Sequence, residues 1–468
     1  MKTWKARFVV TQSGILENAV FGAENGVFVA VGGRDADEDL GDVAVVPGLV
    51  NGHSHAFQRA IRGRTEFLDA RRPDEDFWSW RTLMYQAALS LGPEAFEAVS
   101  RMAFLEMALS GITAVGEFHY VHHQQDGTPY SDPNELAHRV IRAARSVGIR
   151  ITLLRVAYHR GGYGQPAGDD QRRFIEDDVE TYLGRVESLA SDWRSDDRVQ
   201  VGMAPHSIRA VPGNWLSAIA KHADQTGRVV HIHACEQRRE LEESIHEYGS
   251  APVRVFEDLG LLGPGTTIVH GTHLEAGDAE RLKSTGTTVC ACPTTERNLG
   301  DGFLPAQDLL GAGVSVSLGT DSQAQIDLWS EMRLVEYHER LRAERRNVLA
   351  AAHPVWLDSP TDGKLSTADV LWPMSTVHGA HSIGLNSGQI APGRSADFAV
   401  LDLRHPSLVG GNHESLLSDL VFSGVPAAVV GVYVGGTQII HGSRHADTDG
   451  IVDDFRSVMS KLDALSMT

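Results

Sequence analysis

His53 and His55 stand one residue apart, where the apolar run Val46-Pro47-Gly48-Leu49-Val50 gives way to Asn51-Gly52-His53-Ser54-His55. On an extended strand, residues i and i+2 point to one face. Two imidazoles aimed at one point from a strand's end suit a divalent ion of the zinc class. A lone H-x-H pair fits a polar turn equally well, so its weight depends on what converges with it. A second pair, His231 and His233, closes another apolar run, and Glu236 follows three residues on. A carboxylate at that offset can place a proton carrier beside a metal ligand at the start of a loop. His270 and Asp321 end two further runs. Three histidines and one aspartate make a shell with room for water, and such a shell supports hydrolysis.

Bringing these residues together requires a particular arrangement of strands. Eight apolar, β-branched runs end near residues 53–55, 117–120, 157–159, 204–207, 231–236, 269–273, 292–295 and 318–322. Most are followed by helical patterns, such as 136–147, 215–225 and 279–284, with Asp278 placed to cap the last of these. The alternation predicts a (β/α)8, TIM-like barrel over residues 48–384 in an α/β chain, with reacting side chains at the C-terminal ends of its strands. Closure brings the first and eighth strands together, so Asp321 faces His53 and His55. Residues 176–198 read as a solvated acidic helix, and Trp372, Met374 and His378 as packing beneath the barrel. Residues 1–47 and 385–468 share a texture of short strands and turns, and predict one small β-sandwich domain built from both termini.

Composition narrows the function class. Hydrophobic content of 42% and charged content of 22% are ordinary for a globular protein. A net charge of −19, with no basic run, argues against nucleic acid or an anionic membrane as partner. No stretch approaches the roughly 18 apolar residues of a membrane span, and the first residues lack the apolar core of a signal peptide. Three cysteines, Cys235, Cys290 and Cys292, fit a reducing cytoplasm, with the last two on a buried strand.

The pattern of strand-end residues resembles the amidohydrolase superfamily. That resemblance implies His53, His55, His233 and Asp321 as ligands of one divalent ion, with Zn2+ preferred. It implies Glu236 as proton shuttle and His270 as the residue that orients water or the leaving group, and leaves His231 as a packed neighbour. Two-metal members use a carbamylated lysine at the end of a mid-barrel strand. This chain has no lysine between Lys5 and Lys221, so one ion is expected. The single-metal branch is rich in deaminases. In such a reaction Asp321 accepts a proton from water, and Glu236 delivers one to the departing nitrogen, so that ammonia leaves.

Longer motifs narrow the resemblance. His53-Ser54-His55-Ala56-Phe57-Gln58-Arg59-Ala60, Gly116-Glu117-Phe118-His119-Tyr120, Ala204-Pro205-His206-Ser207-Ile208-Arg209 and the run from Cys292 through Thr295, Glu296, Asn298 and Asp301 to Gly302 are similar to formimidoylglutamate deiminases. The implied substrate is N-formimidoyl-L-glutamate, a small dianion, and the implied assembly is a homodimer. Two carboxylates call for guanidinium forks. Arg209 and Arg81 are the candidates, with Gln58, Tyr120 and His206 lining the pocket and Arg59, Arg62, Arg64 and Arg297 adding positive field at its mouth. The rival readings are a deaminase of another amidine or a heterocycle, and a barrel that binds without catalysis.

Overall fold

The computed structural model describes residues 1–33, 35–68, 76–354 and 364–466. The chain opens with Lys2–Thr11 (β1), Gly14–Glu24 (β2), Val27–Val31 (β3), Glu38–Asp39 (β4) and Val43–Pro47 (β5). Eight parallel strands follow: Leu49–Ser54 (β6), Ile112–His119 (β7), Arg150–Ala157 (β8), Val199–Pro205 (β9), Val230–Ala234 (β10), Thr266–His270 (β11), Thr288–Ala291 (β12) and Val316–Leu318 (β13). The chain ends with Phe398–Asp402 (β14), Val429–Val434 (β15), Thr437–His441 (β16), Arg444–His445 (β17) and the helix Thr448–Ser466.

Strands β6 to β13 pair in sequence order, with helices between them, as the predicted barrel requires. The seam between β13 and β6 is closed beside the strand ends. His53 O accepts from Thr320 N at 3.1 Å and Asp321 N at 3.0 Å, and His55 N donates to Asp321 O at 3.0 Å. The opposite end is plugged by the turn Trp372–Ser375 and the helix Val377–Ser382, with His378 Nδ1 3.0 Å from Val316 O. His231 reaches the same plug, its Nε2 2.7 Å from Ser382 O, so it packs below the site rather than entering it.

The terminal strands form one sheet in the order β17-β16-β15-β14-β5-β1-β2-β3, with β4 beside β1. The sheet curls until Phe28 on β3 meets Phe398 on β14, ring centroids 6.2 Å apart, around a core with Trp4, Phe21 and Tyr433. Within residues 385–468 the chain also returns to the barrel. The helix Thr448–Ser466 lies on the barrel helix Pro93–Leu109, where Arg101 pairs with Asp447 at 2.6 Å and Asp454 at 3.1 Å.

The passage from sheet to barrel takes one residue, Gly48. A Cβ there would collide with the Thr113 side chain, so only glycine lets β5 run on into β6 against β7. Two local expectations are corrected. Glu176 is not on a solvated helix face: it is buried before the helix Val179–Trp193, paired with Arg155 at 2.5 Å and also with Arg185. Asp278 is not the cap of its helix. It is the first residue of Asp278–Thr285, and its carboxylate turns back to accept from Glu275 N at 2.8 Å.

The barrel and the small sheet are joined by a buried ion pair. Arg150 on β8 donates to Asp397 at 2.7 and 3.2 Å, and Asp397 also accepts from Gly435 N at 2.7 Å. Removing one partner strands a buried charge, which costs roughly 3–5 kcal/mol. Arg150→Ala is therefore expected to lower the unfolding free energy by that amount, read from the midpoint of a guanidinium chloride titration. A loss below about 1 kcal/mol, the range of a surface pair, would show that the joint does not depend on it.

Candidate metal and active site

The strand ends deliver four side chains to one point. His53 and His55 leave β6 on one face, His233 comes from β10, and Asp321 from the turn after β13. His53 Nε2 lies 3.2 Å from both His55 Nε2 and His233 Nε2. Asp321 Oδ1 lies 3.3 Å from His53 Nε2 and 3.2 Å from His55 Nε2. All four residues are buried.

Their outer atoms fix how the rings face. His55 Nδ1 is 2.9 Å from Phe118 O, and His233 Nδ1 is 3.0 Å from His206 O. A carbonyl only accepts, so each Nδ1 carries the proton and each Nε2 turns a bare lone pair inward. Burial pushes the His53 imidazolium down to about 3 and that of His233 well below its usual range, which keeps both rings neutral. Burial raises the Asp321 carboxyl, but its contacts with His53 and His55 outweigh that and hold it well below the usual range. His53 Nδ1 has no partner, so at most one hydrogen, that of His53 Nε2, lies among the lone pairs of His55 and His233 and the carboxylate. The donor set fits a cation, and three nitrogens with one oxygen suit a zinc-class ion.

The neighbouring groups can handle protons. His270, which ends β11, has Nε2 3.5 Å from Glu236 Oε1 and 3.9 Å from Asp321 Oδ2, while Nδ1 is 3.4 Å from Glu296 Oε1. Burial works against the imidazolium, yet the three carboxylates around it, Glu236 first, hold His270 well above its ordinary range. Burial raises Glu236 as well, so the pair retains a proton between them.

A pocket opens from this cluster and is lined by His55, Gln58, Arg81, Tyr85, Tyr120, His206, Arg209, Glu236, Glu240, His270 and Asp321, among others. Every residue expected there from the sequence reaches it. Gln58 comes from the 3-10 turn Ala56–Ile61 rather than from a strand end, and donates to Tyr120 OH at 2.9 Å. Arg81 lies on the helix Phe77–Ser90, and its guanidinium stacks 4.5 Å from the Trp78 ring. Arg209 stacks on the same ring at 5.5 Å. Arg209 Nε and Arg81 Nη1 are buried with no hydrogen-bond partner.

The four arginines expected to add field at the mouth divide. Arg59 and Arg62 each lie 2.6 Å from Glu106, and Arg64 lies 2.9 Å from Asp463, so their charge is offset locally. Arg297 is exposed.

Sequence reading missed the supports. Glu117 accepts from Ser54 Oγ at 2.5 Å and Ala56 N at 2.7 Å, bracketing His55 from the neighbouring strand. Burial pushes its carboxyl up to about 7. Phe118 wedges among the ligand rings, 4.4 Å from His233 and 5.1 Å from His53. Glu296 holds His270 and accepts from Cys292 N at 2.8 Å. Glu117, Phe118 and Glu296 all lie in motifs visible in the chain, but no one-dimensional spacing shows which strand a side chain will brace.

Comparison with known proteins bears on the fold and the family. The amidohydrolase family model matches residues 44–439. Formimidoylglutamate deiminase of Pseudomonas aeruginosa is 37% identical over 431 residues, covering 92% of this chain and 91% of that protein. The 5-methylthioadenosine/S-adenosylhomocysteine deaminase of Haloarcula marismortui is 30% identical over 441 residues, 92% of this chain and 86% of that one. Among solved structures, an amidohydrolase from Brucella melitensis superposes with a TM-score of 0.89 at 33% identity, over 99% of this chain and 100% of that chain. A zinc-bound adenosine deaminase from Xanthomonas campestris shares the fold, with a TM-score of 0.80 at 24% identity over 99% and 98%.

Glu117 generates a prediction about the ligands it braces. Supports of this kind are worth about 10–100-fold in metal affinity. Glu117→Ala is expected to weaken Zn2+ binding by that factor, measured by competition with a chromophoric chelator, while circular dichroism stays native. Unchanged affinity would mean that β6 positions His55 without help.

Proposed function

The chain belongs to the amidohydrolase family, and from that premise we propose that it is a zinc-dependent deiminase converting N-formimidoyl-L-glutamate and water to N-formyl-L-glutamate and ammonia. The observation that carries the substrate assignment is the pair Arg81 and Arg209, each with a buried, unpartnered N–H group, in the pocket that leads to the ligand cluster. Such donors seek carboxylates, and this substrate has two. A neutral heterocycle offers neither the negative charge nor the paired oxygens that two guanidinium forks match. The 37% identity to the Pseudomonas aeruginosa deiminase supports the same choice.

In this reading His53, His55, His233 and Asp321 hold one Zn2+. Bound there, it would supply Lewis-acid chemistry and would lower the pKa of water toward about 7. The chain's own groups do the rest. Arg81 and Arg209 grip the two carboxylates and turn the amidine toward the cluster. Gln58, Tyr120 and His206 line the path between. Asp321 accepts the proton that water gives up. Glu236, paired with His270, delivers a proton to the nitrogen, so ammonia departs rather than amide ion. His270 orients the water or the leaving group. The boundaries that go with this reading are a barrel over 48–384 and a small domain from 1–47 and 385–468. Three buried free thiols suit a reducing cytoplasm.

The direct test is ammonia release by zinc-loaded protein from N-formimidoyl-L-glutamate, with 5-methylthioadenosine, guanine and N-formimidoylglycine in parallel. Turnover of the glutamate compound alone is expected. Turnover of a heterocycle alone sinks the two-arginine argument. Two variants divide binding from chemistry. Arg209→Ala is expected to raise KM by about 100-fold, the worth of one charge-assisted contact. Glu236→Gln is expected to lower kcat by at least about 100-fold, as for loss of a general acid, while the metal content stays at one ion per chain. Metal loss in Glu236→Gln would contradict its place outside the ligand shell.

A further inference from the structure

We propose that His270, Cys292 and Asp321 form a second cation site, which takes a thiophilic divalent ion such as Cd2+ or excess Zn2+ and inhibits the enzyme. One ligand atom from each of the three lies within 4.8 Å of the other two, and all three residues are buried. Two donors on one tetrahedral ion, with bonds of about 2.3 Å to sulfur and about 2.0 Å to nitrogen, sit roughly 3.5 Å apart. Small side-chain rotations close the remaining gap.

Asp321 presents a separate oxygen to each side. Oδ1 faces His53 and His55, whereas Oδ2 faces His270 Nε2 at 3.9 Å. A carboxylate used in this way bridges ions about 3.5–4 Å apart in two-metal centres. His270 directs Nδ1 to Glu296 and Nε2 into the cluster. Glu236 Oε1, 3.5 Å from that Nε2, supplies a fourth donor. The hydrolytic reading gives Cys292 no work, and its sulfur makes this site softer than the first. Soft thiolates select soft ions over hard ones.

Binding replaces two protons with the ion, the thiol proton of Cys292 and the one held between His270 and Glu236, and both leave to solvent. The carboxylates of Glu236, Asp321 and Glu296 around His270 favour the added positive charge. Once there, the ion engages His270 and Glu236, so neither can serve the leaving nitrogen. Occupancy rests on geometry alone; the inhibitory consequence rests on the roles proposed for Glu236 and His270. Cys290 lies one layer deeper, where a Cβ on Gly52 would meet its sulfur at 3.2 Å, and it is outside the donor group.

The test uses full-length protein loaded with one zinc per chain and titrated with CdCl2. Thiolate-to-cadmium charge-transfer absorbance and the zinc and cadmium content are followed together. The expected result is a charge-transfer band that saturates at one cadmium per chain with zinc retained. Ammonia release from N-formimidoyl-L-glutamate should fall by about 100-fold along the same curve, the lower range for loss of one acid–base group. Exchange of cadmium for zinc at the first site adds no thiolate and therefore no band. Cys292→Ser should abolish the band, with Cys292→Ala as second variant if the serine folds poorly, and Cys290→Ser should keep it. No band in the wild type, or a band that survives in Cys292→Ser, overturns the site. A band without inhibition overturns the inhibitory role. Failure of the untreated enzyme to turn over the substrate counts instead against the proposed function, and leaves the band to decide occupancy.

Discussion

The lone pairs of His55 and His233 and the Asp321 carboxylate converge on His53 Nε2 at 3.2, 3.2 and 3.3 Å with at most one hydrogen among them, so they repel one another. Nothing local would assemble them, and the rest of the fold can be understood as the apparatus that does. Backbone carbonyls of Phe118 and His206 take the outer N–H groups of His55 and His233, and so leave His53 as the one ring of the three whose tautomer can place a hydrogen inside the cluster. Burial removes a further relief, protonation, by pushing His53 down to about 3. Phe118 fills the space between the rings, so they cannot swing apart. One shared hydrogen relieves only one of these contacts, and a cation offsets the rest.

The barrel seam is the most heavily braced part of this apparatus. Asn51 grips Thr320 twice, Nδ2 to Oγ1 at 2.8 Å and Oδ1 from N at 3.0 Å. Thr320 Oγ1 donates to Gln323 Oε1 at 2.8 Å, and Gln323 Nε2 donates to Ser54 Oγ at 2.9 Å. Ser54 in turn donates to Glu117. The chain of contacts runs from β13 across β6 to β7 and passes on both sides of His53. It also holds unfavourable backbone. Asp321 and Gln323 adopt φ of 46° and 60°, and His270 adopts 75°. Such conformations cost about 1–3 kcal/mol each and persist only where the surroundings enforce them. At Asp321 and His270 the left-handed turn comes where strand geometry ends and the side chain must aim across the strand ends.

How much of this was legible in the chain depends on whether a contact follows the strand or crosses it. The H-x-H pairs were legible because strand periodicity is local, and the barrel because eight apolar runs alternate with helical patterns. The pairing of Asp321 with His53 followed from closure alone. The braces were not legible. Glu117 reaches sideways to residues 61 and 63 positions away, and Glu106 captures Arg59 and Arg62 from a helix more than 40 residues on. Glu176 reads as solvated by its acidic neighbours, yet Arg155 on β8 draws it inside. Residue type fixes what a side chain can bind, whereas the choice among partners on adjacent elements is made only by packing.

The pocket arginines pose the converse problem. In a chain of net charge −19, a buried guanidinium would ordinarily find a carboxylate of its own. Arg81 and Arg209 instead rest on the face of Trp78, which stabilises cations without using their N–H donors. Arg239 stacks on the same ring at 4.7 Å but spends its charge on Glu243 at 2.7 Å. Glu240 is the carboxyl in the pocket best placed to compete. Burial raises it to about 7 despite the opposing pull of Arg209, so near neutrality it carries only part of a charge. Its Oε1 is also engaged by Cys235 N at 3.2 Å. Aromatic stacking and a carboxyl held partly protonated thus solve the same problem from two sides: they keep the cations charged and their donors free, facing the space between Trp78 and the ligand cluster.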